Sequence, residues 1–73
     1  MEELYSAMNE VRAKESGFRC EIIECTLDGN LKQSIYAAQC LLAAEREEYQ
    51  LRAQIADRRA KTLESLGTKI AGV

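Results

Sequence analysis

The residues of highest intrinsic reactivity are Cys20, Cys25 and Cys40. A nucleophilic thiol needs a general base beside it, most often histidine, and the chain contains no histidine. Three is an odd number, which excludes a closed set of intramolecular disulfides. The spacings of five and fifteen residues match neither a redox dithiol nor a zinc-ligand pattern. These cysteines are therefore expected to be small, half-buried hydrophobic residues. The acids offer two groups, Glu21 with Glu24 and Glu45 with Glu47 and Glu48. A carboxylate metal centre in a helical bundle draws Glu-x-x-His ligands from facing helices, and without histidine a solvated face is the better account. No metal or cofactor is expected, and no catalytic residue is assigned. The protein is read as a non-enzyme.

Arg52, Arg58, Arg59 and Lys61 form the basic cluster of the chain. On a helix they spread around more than half the circumference, with Asp57 among them. No aromatic residue interleaves to stack on bases. The net charge of −2 also points away from a dedicated nucleic-acid binder. Contact with nucleic acid through 52–61 of a dimer is kept as the alternative function.

The elements that position these residues are helical. The sequence has no proline, and its punctuation is Gly17, Gly29, Gly67 and Gly72. After Gly29, Asn30 can cap a helix, and Gln33 can return the bond as a capping-box variant. From Leu31 to Leu66 good helix formers dominate, and Gly67 is placed to end the helix. Such a helix would be about 54 Å long, which suggests an extended bundle or coiled coil. Leu31, Ile35, Ala38, Leu42, Tyr49, Ala56 and Leu63 recur on one face at helical spacing, with Leu41 and Leu66 beside them. Glu45, Arg52 and Arg59 interrupt the stripe. Its first half is apolar and its second half mixed, either a packing face with ion-paired edges or a face for a charged partner helix.

An N-terminal helix begins near Glu2. Leu4, Met8, Val11, Glu15, Phe18, Ile22 and Cys25 continue one 3-4 spacing along it. Glu10–Lys14, Glu15–Arg19, Glu48–Arg52 and Asp57–Lys61 are supporting four-residue pairs. Residues 18–27 also admit a strand reading, with Asp28-Gly29 as a hairpin turn. The alternative fold is thus an N-terminal helix, a short β-hairpin around 18–35 and a long C-terminal helix.

The preferred reading is a single all-α domain over 1–73. It is an antiparallel helical hairpin of 2–27 and 31–66, turning at Asp28-Gly29-Asn30, with residues 67–73 as a frayed tail. A chain of 73 residues buries only about 60% of its unfolded surface, and small folds compensate with disulfides, metals or a second chain. With the first two disfavoured, pairing of two hairpins into a four-helix homodimer is expected, ahead of an obligate heterocomplex. Residues 1–30 carry a net −4 and residues 31–73 a net +2, so the two halves attract. Leu31, Ile35, Ala38, Leu41, Leu42, Tyr49, Ala56 and Leu63 are the expected self-association or partner interface. Arg52, Arg58, Arg59 and Lys61 are the candidate polar partner contacts.

The start, Met1-Glu-Glu-Leu-Tyr5, lacks the basic residues and apolar run of a signal peptide. The apolar run from Ile35 to Ala44 is too short to span a bilayer. With free cysteines, this suggests a cytoplasmic protein that does not enter membranes. The general plan is similar in size and shape to short co-chaperones and phage-encoded inhibitors, without a shared motif. The functional expectation is an adaptor, co-chaperone or inhibitor that binds a larger protein through helix faces.

Overall fold

The computed structural model describes the backbone of residues 1–71 and the side chains of residues 1–67. It contains two helices, α1 (Glu2–Leu27) and α2 (Leu31–Ala71), packed against each other as a hairpin. At 1.5 Å per residue they are about 39 and 61 Å long. The molecule is accordingly a rod of 66 × 16 × 13 Å.

The turn follows from three residues. Asp28 ends α1 in a right-handed helical conformation, and Gly29 then takes φ of 77°, where a Cβ would be strained. Asn30 donates its backbone N–H to the Cys25 carbonyl at 2.8 Å, and Gly29 donates to Thr26 at 3.1 Å. This pair of bonds satisfies the last carbonyls of α1 as a Schellman motif. Asn30 then opens α2, its side-chain oxygen accepting from the Gln33 N–H at 3.2 Å. The reciprocal bond of a capping box is not made. The Gln33 amide instead crosses to Glu21 on α1, 2.9 Å away, and Thr26 meets Ser34 at 2.9 Å.

Residues 18–27 are helical, so the strand reading does not hold. The four-residue pairs Glu15–Arg19, Glu48–Arg52 and Asp57–Lys61 form at 3.3, 2.6 and 3.1 Å. Two expectations about the end of α2 need separating. Gly67 does not cap the helix, which continues through it to Ala71. Glycine in a helix interior costs about 1 kcal/mol, a penalty one turn-spanning run of good helix formers tolerates. The frayed-tail expectation concerns 67–73, of which the side chains of 68–73 lie outside the described residues.

The seam between the helices uses the face of α1 that its 3-4 spacing marked. Leu4, Met8, Val11 and Glu15 are buried, and Phe18, Ile22 and Cys25 are half-buried. On α2 the seam is Ala37, Ala44 and Ile55, all buried, with Ser34, Leu41, Glu48 and Leu51 half-buried between them. Leu4, Met8, Ile55 and Leu51 form the main apolar cluster. The alanines give α1 room to approach closely.

Candidate functional site

The α2 seam is a different face from the stripe of large apolar residues. At 3.6 residues per turn the two are offset by roughly 110° around the axis. Leu31, Ile35, Leu42, Tyr49 and Leu63 are 55–76% exposed, and Ala56 is exposed as well. Ala38 lies between the two faces and is half-buried, and Leu41, expected beside the stripe, belongs to the seam. Leu31, Ile35, Leu42 and Tyr49 of the stripe therefore face away from α1, whereas Ala56 borders the space between the helices. Volume explains why the seam was not legible: its members are mostly small or polar, whereas the bulky residues that dominate a hydrophobicity pattern point elsewhere. Leu66, 51% exposed, extends the stripe beyond the end of α1.

Alongside the stripe runs an open groove between the helices. It is lined by Tyr5, Met8, Asn9 and Arg12 of α1 and by Arg52, Ile55, Ala56 and Arg59 of α2. Arg59 donates to the Tyr5 hydroxyl at 2.5 Å and lies 5.9 Å from the centre of its ring, within cation–π range. Arg52 and Arg12 both reach Glu48, at 2.6 and 3.8 Å. Of the four basic residues singled out by composition, Arg52 and Arg59 line this groove. Lys61 is paired with Asp57, and Arg58 is exposed elsewhere on the helix.

Glu48 also faces Glu15 across the seam. Glu15 is 3% exposed, and its Oε1 has no hydrogen-bond partner as an ionised acceptor. A proton on Glu15 resolves this by giving Glu48 a donor. The Glu15 pKa is accordingly raised above the usual glutamate value, first by that hydrogen bond, then by burial and the charge of Glu48. Arg19 opposes the shift and Glu45 adds to it. The Glu48 pKa is lowered, first by the bond from Glu15 and then by Arg52 and Arg12, against the cost of its own burial. The two carboxyls are thus pushed in opposite directions, with Arg12, Arg19 and Arg52 around them. Sequence spacing placed Glu15 on the inner face but carried no sign of Glu48 opposite it.

Cys25 and Cys40 are half-buried and Cys20 is exposed. Burial, then the charges of Glu21, Asp28 and Glu24, push the Cys25 thiol above its ordinary pKa, which suppresses the reactive thiolate. Among the described residues no helix is long and apolar enough to cross a membrane, and no cluster of His, Cys, Asp or Glu could hold a metal ion. Comparison with known protein families, with curated protein sequences and with solved structures gives no match.

Proposed function

We propose that the protein is a non-enzymatic interaction module that binds another polypeptide through the outward stripe of α2. The observation that carries this reading is the row of bulky apolar side chains from Leu31 to Leu66, each more than half exposed and aligned along one helix face. Singly exposed hydrophobic residues are ordinary, whereas several aligned on one face, here densest from Leu31 to Tyr49, mark a binding face. Each helix of a four-helix bundle touches two neighbours. A seam and a stripe roughly 110° apart suit that arrangement, so a homodimer of hairpins is the favoured form. Adaptor, co-chaperone and inhibitor roles are all compatible with such a face.

The test is purification of the wild type and of Leu42→Glu from the native host, with light scattering of each. The reading expects Leu42→Glu to remain helical while losing both self-association and any chain that co-elutes with the wild type. A variant that keeps its associations sinks the reading. The alternative, nucleic-acid contact through Arg52, Arg58, Arg59 and Lys61, has less to support it. Arg52 and Lys61 are bound to acids of the same helix, and Arg59 is occupied by Tyr5.

A further inference from the structure

We infer that the stripe binds a second copy of this chain in antiparallel orientation, with the two-fold axis crossing α2 beside Tyr49. This rests on the stripe being a protein-binding face and names its occupant and polarity.

Charge is the first argument. Within the stripe, Glu45, Arg52 and Arg59 occupy successive positions seven residues apart. A parallel, in-register copy would stack Glu45 on Glu45, Arg52 on Arg52 and Arg59 on Arg59. An antiparallel copy centred near Tyr49 instead sets each Glu45 beside Arg52 of the other chain, with Arg59 opposite the uncharged Gln39. Moving the axis about half a heptad toward the C-terminus would oppose the two Arg52 residues, and moving it about half a heptad the other way would oppose the two Glu45 residues. Like charges directly opposed in an interface are disfavoured. The central register avoids both clashes.

The groove beside the stripe supplies the second argument. Arg12, Arg52 and Arg59 lie along it, and among the described residues Glu48 is the one acid paired with any of them. Glu45 makes no ion pair among the described residues and is exposed, lining a separate hollow with Glu48, Tyr49 and Arg52, the last of which also lines the groove. In the antiparallel arrangement the Glu45 carboxylate of each copy neutralises the surplus positive charge of the other.

Length is the third. Met1 packs near Arg59, Thr62 and Leu63, so α2 beyond Leu63 has no α1 beside it. An isolated helical stretch this short is marginal in water. An antiparallel copy brings the turn-proximal Leu31 and Ile35 of one chain against Leu63 and Leu66 of the other, and so covers the overhang.

Cross-linking tests the orientation. In a background of Cys20→Ala, Cys25→Ala and Cys40→Ala, one chain carries Ile35→Cys and another Leu63→Cys. These positions are roughly 42 Å apart along α2, out of reach in a parallel pair. The expected result with a short bismaleimide is a covalent dimer of about twice the 8.2 kDa chain mass in the mixture, and none with either variant alone. Leu31→Cys with Leu66→Cys should repeat the result, and circular dichroism confirms that each variant is folded. Covalent dimers from the single variants alone would overturn the antiparallel orientation while leaving the stripe as a protein-binding face. A folded monomer at micromolar concentration would overturn the second copy as occupant. In that case loss of a different co-eluting chain by Leu42→Glu would still uphold the proposed function.

Discussion

Glu15 is held in the seam by its position, since the 3-4 spacing that buries Val11 and half-buries Phe18 leaves it facing α2. Its raised pKa gives the hairpin a specific pH response. A raised folded pKa contributes stability that is complete below the unfolded value and is lost as pH rises through the folded one. The lowered Glu48 pKa acts in the opposite sense, its contribution being lost as pH falls through the folded value. The pair therefore supports the fold best in the window between the two folded pKa values, and support declines from there toward neutrality. Glu15→Gln keeps a donor for Glu48 at every pH. Urea denaturation at fixed protein concentration should show the wild-type midpoint falling between mildly acidic and neutral pH, and a much flatter profile for Glu15→Gln. The glycines make a second prediction at this scale. A Cβ on Gly17 meets nothing within 4 Å, so Gly17→Ala should stabilise the protein by about 0.5–1 kcal/mol. Gly29→Ala, at positive φ, should destabilise it by about 1–2 kcal/mol. Thermal melts of the two variants should shift in opposite directions.

At the scale of the elements, the seam works because α2 presents alanine where α1 presents bulk. Ala37 and Ala44 are 1% and 5% exposed, so a longer side chain at either would be directed into the seam. Ala44→Leu should cost about 1–3 kcal/mol through overpacking, read as a lowered urea midpoint. Leu42→Ala, two residues away on the outward side, removes little from the seam because Leu42 is 55% exposed. Its effect should appear in association and not in the packing of α1 on α2. Equal effects of the two substitutions on a monomeric state would show that the faces had been assigned wrongly. The beginning of α2 depends on Asn30, whose side chain holds the Gln33 N–H. Asn30→Ala should cost about 1 kcal/mol.

At the scale of the whole molecule, a hairpin of two helices has one contact face per helix and leaves most of its surface in water. Its buried apolar core consists of Leu4, Met8, Val11, Ala37, Ala44 and Ile55, which is little for a chain of 73 residues. Stability is accordingly expected to depend on protein concentration, as it does for any fold completed by association. Melting temperature should rise with chain concentration for the wild type and not for Leu42→Glu. Reducing agent should leave both curves unchanged, because all three cysteines are free. Arg59→Glu should leave the helices intact, since the Tyr5 contact it removes is exposed.

Helix type, the turn at Asp28-Gly29-Asn30, the inner face of α1 and three of the intrahelical ion pairs were all determined by local sequence. Each depends on interactions within about four residues, which spacing and residue type report directly. Four matters were decided only by tertiary structure. Gln33 crosses to Glu21 instead of closing its capping box, because the neighbouring helix offers a carboxylate within reach. The helix runs through Gly67, where nothing packs against the backbone. Glu15 meets Glu48 only because the hairpin brings positions 33 residues apart into register. The seam of α2 combines Ala37 and Ala44 with Leu41, Leu51 and Ile55, and not the more numerous bulky residues of the stripe, a choice made by the register in which α1 packs. That choice leaves Leu31, Ile35, Leu42, Tyr49 and Leu63 facing outward, and a pattern of hydrophobicity along one chain cannot tell a face that packs internally from one that is kept for another chain.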